Sequence, residues 1–186
     1  MKTIAEVAYH LSFQNAFQSY LQIDDTTQLP ADQIEDDKTC EFVNCVKKIQ
    51  IPFEKVDSLP KEDKYDLIYI TGRGTTREKI HQRIEFAETR LKEGGAILFN
   101  YANSNRPEDG ESWQEVARLR CKRNCFICVI PQVANCCAVY RPGQRSHVYA
   151  AQHLPQFDKF EYLQSNRATL LNIISDTDFE TLIRFI

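Results

Sequence analysis

A short apolar run that closes on a glycine, Tyr65-Asp66-Leu67-Ile68-Tyr69-Ile70-Thr71-Gly72, is answered 22 positions after that glycine by Gly94-Gly95-Ala96-Ile97-Leu98-Phe99-Asn100. Between them, Ile80, Ile84, Ala87 and Leu91 recur at helical spacing. Two runs of this length, joined by an amphipathic helix, specify a buried strand, a crossover helix and a second parallel strand. In an open parallel sheet, ligands are handled beyond the carboxyl ends of the strands. Thr71, Gly72 and Asn100 therefore fall where function is to be sought.

The rest of the chain continues the alternation. Residues 3–8 read as a short first strand, 11–17 as one to two helical turns, and 20–25 as a second strand ending in Asp24 and Asp25. Residues 26–38 are polar and read as a loop. Residues 40–49 carry apolar side chains at helical spacing, and 51–57 alternate as a strand with Pro52 near its start. After the strand at 66–70, the turn at 71–76 and the helix at 77–92, Gly94 is placed to stop that helix. A strand at 96–100 and a helix at 112–120 follow, the latter with Ser112 and Glu115 spaced as a capping box. Two final strands at 125–130 and 136–140 lie close enough to form a hairpin. The order β-α-β-α-β-β-α-β-α-β-β predicts an α/β sheet with helices on both faces. An α/β domain over 1–141 and a C-terminal extension over 142–186 packed on it are the expected organisation.

Composition removes several function classes. A net charge of −3 gives no reason to expect nucleic acid or an anionic membrane as partner. No apolar run approaches the roughly 20 residues of a membrane span, and the opening residues lack a signal-peptide core; a cytoplasmic protein is expected. Seven cysteines include Cys121, Cys125, Cys128, Cys136 and Cys137 in one region. Cys125 and Cys128 lie three apart on a predicted strand and so face opposite sides. They read as packed thiols rather than as a zinc pair, which must converge from a turn.

On these residues the chain resembles the class I S-adenosylmethionine-dependent methyltransferases. Lys64-Tyr65-Asp66-Leu67-Ile68-Tyr69-Ile70-Thr71-Gly72 and Leu91-Lys92-Glu93-Gly94-Gly95-Ala96-Ile97-Leu98-Phe99 are similar to the family's fourth and fifth strands, K-Y-D-L-I-F-I-D-G and L-K-P-G-G-x-I-x-F. The pair of strands around Phe126 and Val139 resembles the closing sixth and seventh. The resemblance spans residues 3–141. It implies a Rossmann-like three-layer sandwich: a mostly parallel seven-stranded sheet with an antiparallel last strand. It also implies S-adenosylmethionine as cofactor, bound near Glu6, Asp24, Asp57, Thr71 and Gly72. Asp24 would grip the ribose hydroxyls, 18 residues after Glu6. Asp57 would lie near the adenine.

The departures are specific. The family's glycine-rich first-strand motif lets the backbone approach the cofactor closely; the stretch from Glu6 to Phe13 contains no glycine. The family's strand-four aspartate is Thr71, so no catalytic metal is expected. His10, as general base or substrate contact, and Asn100 are the candidate catalytic side chains; a structural role for His10 is the plainer alternative. Two readings stay open. One is a methyltransferase acting on a small-molecule acceptor. The other is a catalytically inactive relative serving as a binding or subunit-interaction module. The partners are accordingly a small-molecule substrate or another protein, and a homo-oligomer is compatible with either.

Overall fold

The computed structural model describes residues 3–24, 39–71, 76–103, 105, 110–121, 125–131, 137–143 and 159–182. The chain opens on helix α1 (Ile4–Gln14), then strand β1 (Ser19–Asp24), the single turn α2 (Thr39–Phe42) and strand β2 (Lys47–Pro52). A 3-10 segment (Phe53–Ser58) leads to β3 (Tyr65–Ile70), α3 (Arg77–Arg90) and β4 (Leu91–Phe99). Then come α4 (Ser112–Leu119), β5 (Cys125–Ile130), β6 (Cys137–Pro142), α5 (Phe160–Leu171) and α6 (Asp176–Leu182).

The six strands form one sheet in the order β2-β1-β3-β4-β6-β5. β2, β1, β3 and β4 are mutually parallel, and β6 runs antiparallel to β4 and β5. α3, α4 and α5 cover one face, packing Ile84, Val116 and Leu170 on Ile68, Ile97 and Ile127. α1 and α6 cover the other, packing Val7, Leu11 and Phe179 on Leu67, Leu98 and Val139. The α/β, Rossmann-like layering is therefore present, with six strands rather than seven among the described residues.

The missing strand is the expected first one. Residues 4–8 belong to α1 and Thr3 caps it, so none of them is in a strand. Thr3 accepts a hydrogen bond from the Glu6 N–H at 3.1 Å, and the Glu6 carboxylate accepts from the Thr3 N–H at 3.4 Å. This reciprocal cap satisfies two N–H groups that a helix start leaves open. Ile4, Val7, Ala8 and Leu11 are buried, a stripe with the helical period rather than the strand period.

Two further boundaries differ from expectation. The helix expected over 40–49 is only α2, because Ile49 and Ile51 alternate with Lys48 and Gln50 as β2. Pro52 ends this edge strand, so the strand expected to run to Asp57 gives way to the 3-10 segment. α3 ends at Arg90 without Gly94, which lies inside β4 at φ +75°. Residues expected to form the C-terminal extension contribute Leu163, Leu170, Leu171 and Phe179 to the two cores.

Candidate functional site at the strand carboxyl ends

β1 is followed by β2 on one side, and β3 then lies on the other side of β1. The order reverses at that point, and the carboxyl ends of β1 and β3 flank the reversal where open α/β sheets bind ligands. Side chains alternate along each strand, so the register decides what meets there. Gln22 pairs with Tyr69, and Tyr69 with Leu98. Two residues on, Asp24, Thr71 and Asn100 follow in one row across three adjacent parallel strands. All three share the α1-covered side with Tyr20, Tyr69 and Leu98.

The row is hydrogen-bonded. The Thr71 N–H donates to the Ile23 carbonyl at 2.9 Å, prolonging the β1–β3 ladder. The Thr71 hydroxyl lies 3.4 Å from Asp24 Oδ1. Gln22 Nε2 donates to the same oxygen at 2.9 Å, and Gln50 Nε2 to Asp24 Oδ2 at 2.7 Å. Asn100 Nδ2 donates to the Tyr69 hydroxyl at 3.2 Å. Thr71 and Asn100 are buried, whereas Asp24 is half-buried and reaches the rim. Burial raises the pKa of the Cys40 thiol; Lys48 opposes this, and the Asp24 charge adds to it.

The other expected site residues lie elsewhere or outside the described residues. Glu6 is exposed and caps α1. Asp57 is exposed on the 3-10 segment that replaces its strand end. His10 is half-buried on α1, with its ring edge on Tyr9 at 5.8 Å; among the described residues no hydrogen bond joins it to Asp24, Thr71 or Asn100. Gly72 lies outside the described residues. Gln22, Gln50 and Tyr69 were not expected. A glutamine in an otherwise apolar strand, two residues before a strand-end aspartate, is the signal that marks the first of them.

The helices that follow β3 and β4, α3 and α4, are tied together. The Arg77 N–H at the start of α3 donates to Glu111 Oε2 at 2.9 Å. Glu115 of α4, fully buried, accepts from Arg118 Nε at 2.9 and 2.8 Å and stands 3.1 Å from His81 Nδ1. Among the described residues no group of three or more His, Cys, Asp or Glu side chains comes together to hold a metal ion. Cys125 packs on one face of the sheet and Cys128 on the other.

No protein-family model matches the chain, and neither does any curated protein. Among solved structures it is similar to the cofactor-bound Rv0187 from MTB, at 10% identity over 78% of this chain and 83% of that one, TM-score 0.48. It is also similar to the O-methyltransferase from Bacillus cereus in complex with SAH, at 12% identity over 73% and 79%, TM-score 0.45. A third is the O-methyltransferase TomG from Streptomyces achromogenes in complex with SAM, at 10% identity over 74% and 78%, TM-score 0.46. No residue correspondence follows from likeness of this size.

Proposed function

We propose that the chain is an S-adenosylmethionine-dependent, methyltransferase-like protein acting on a small-molecule acceptor. The carrying observation is the position of Asp24, a half-buried carboxylate at the carboxyl end of β1, at the reversal of strand order, in register with Thr71 and Asn100. A carboxylate offers about four acceptor positions. Gln22, Gln50 and Thr71 supply three donors, of which the Thr71 hydroxyl at 3.4 Å is the most distant. A vicinal diol fits this set by taking the remaining position and replacing Thr71. The residues present thus suit the ribose of an adenosyl group.

When bound, the cofactor supplies an electrophilic sulfonium methyl group. The chain's own residues bind and orient. Asp24 accepts from the ribose hydroxyls. Thr71 and Asn100, buried beneath the rim towards β4, would floor the place where an acceptor is held in line, so that rate enhancement would be mainly positioning. α1 covers the apolar part of this face with Ile4, Val7, Ala8 and Leu11. The expectation of a cytoplasmic protein with neither nucleic acid nor membrane as partner belongs to the same proposal. The net charge of −3 gives no reason to add nucleic acid or an anionic membrane; among the described residues no helix is long and apolar enough to cross a membrane.

One observation favours the second reading, an inactive module that binds a protein partner. The segment expected to hold the glycine motif is instead α1, whose Ala8 and Leu11 are fully buried against the sheet. Thermal denaturation with S-adenosylmethionine and S-adenosylhomocysteine separates the two. A ligand at 100 times its dissociation constant adds about 2.7 kcal/mol. A rise in midpoint with both compounds supports the enzyme reading; no rise at millimolar concentration leaves the module.

A further inference from the structure

We infer that Gln22 and Gln50 are positioning residues that fix the Asp24 carboxylate for a diol ligand, with the Gln22 amide anchored in turn on Tyr20. The inference rests on the adenosyl reading above for its ligand, and on the β1–β2 pairing for its geometry. Gln22 and Gln50 are register partners on neighbouring parallel strands. Each donates through Nε2 to a different oxygen of the same carboxylate, at 2.9 and 2.7 Å. Held at both oxygens, the carboxylate plane cannot turn about its terminal bond.

The amide of Gln22 would do the opposite if reversed, because its oxygen would then face an anion. The carboxylate, which only accepts, itself selects Nε2, and Tyr20 anchors the other end of the amide. The Tyr20 hydroxyl donates to Gln22 Oε1 at 3.0 Å. Tyr20, Gln22 and Asp24 alternate along β1 and share one face, forming a relay from the core to the rim. Tyr20 and Gln22 are fully buried. The strand's other inward residues, Leu21 and Ile23, are aliphatic. Packing alone gives no reason for an amide at position 22, and its hold on Asp24 does.

The test compares two ligands on three proteins. Affinities of S-adenosylhomocysteine and of its 2′,3′-dideoxy analogue are measured by calorimetry for wild type, Q22L and Q50A. Loss of a donor to the carboxylate is expected to weaken S-adenosylhomocysteine on the order of tenfold in Q22L, with a smaller loss in Q50A. The dideoxy analogue, which has no diol for Asp24 to grip, is expected to change less than twofold. Equal losses for both ligands, or none, would overturn the inference. Q50A, on an exposed edge-strand side chain, keeps the test open if Q22L does not fold. If wild type binds neither ligand, the adenosyl reading fails by itself, and crystal structures of the variants then decide. An Asp24 carboxylate turned away from its wild-type orientation supports positioning, and an unmoved one refutes it.

Discussion

Asp66 illustrates how a single side chain holds the opposite end of the sheet from the candidate site. Its Oδ2 accepts from the Gln18 and Ser19 N–H groups at 3.0 and 2.9 Å, from the Ser19 hydroxyl at 2.7 Å and from Lys92 Nζ at 2.9 Å. Burial alone would raise its pKa. Lys92, Ser19 and the two backbone donors outweigh that effect and hold it below the usual carboxylate value. A group with a depressed folded pKa contributes stability above its unfolded value and loses it as pH falls through the folded one. Asp66→Asn is therefore expected to cost about 1–2 kcal/mol near neutrality, given a partly exposed lysine partner. The gap between the two proteins should close as pH drops below about 4. Denaturant titrations at pH 7 and pH 3 measure it, and an undiminished gap at pH 3 would contradict the assignment. At this scale the strand-end positions of Asp24, Thr71 and Asn100 were legible in the sequence, because each directly follows or ends an apolar run. Glu6 and Asp57 were not. Glu6 also satisfies the Thr-x-x-Glu pattern of a helix start, and Asp57 lies beyond a proline that ends its strand.

Among the elements, the β3–β4 pair is the rigid frame of the site, and Gly95 lets it close. The register shifts between Tyr65 and Leu67, bringing the two backbones close at this glycine. A Cβ on Gly95 would stand 2.7 Å from the Asp66 carbonyl oxygen and 2.9 Å from Leu91 Cδ1. The backbone oxygen cannot swing aside as a long side chain would. Gly95→Ala is expected to destabilise by about 1–3 kcal/mol, read from the denaturation midpoint, and an unchanged midpoint would show that the pair is looser than described. β3, α3 and β4 were readable because strand, helix and strand each carry a single period of adequate length. α1 was missed because residues 3–8 alone partly alternate; the helical stripe emerges only when Leu11 is counted with Ile4, Val7 and Ala8. β2 was missed because Val43, Cys45 and Val46 extend a helical pattern across the turn after α2.

For the whole molecule, α5 and α6 wrap the free edge of the sheet. Asn172, at φ 51°, turns the chain, and its Nδ2 donates to the Ile127 carbonyl at 2.9 Å. The Ile174 N–H donates to the Val129 carbonyl at 3.1 Å, and the Val129 N–H to the Asn172 carbonyl at 3.3 Å. A short parallel bridge thus covers the β5 edge, which would otherwise be open to pairing with another chain. The chain passes from one face to the other here, so that Leu170 and Leu171 serve one core and Phe179 the second. Phe179→Ala is expected to cost about 3–5 kcal/mol. A loss below 1 kcal/mol in urea denaturation would mean that α6 is not integral to the fold. The sequence shows that residues 170–174 and 179–186 are apolar enough to pack. It could not show that Leu170 and Leu171 serve one face and Phe179 the other, because that depends on the exposed edge of a strand some 40 residues earlier in the chain.

The claim on which the functional account turns is that a ligand diol meets Asp24 at the reversal between β1 and β3. Calorimetric titration of S-adenosylhomocysteine into wild type and Asp24→Ala tests it most directly. Truncating a charged hydrogen-bonding partner is expected to weaken binding by roughly ten- to a hundredfold, while the variant stays folded because Asp24 is half-buried at the rim. Equal affinity in the two proteins, or no binding by wild type, would contradict it.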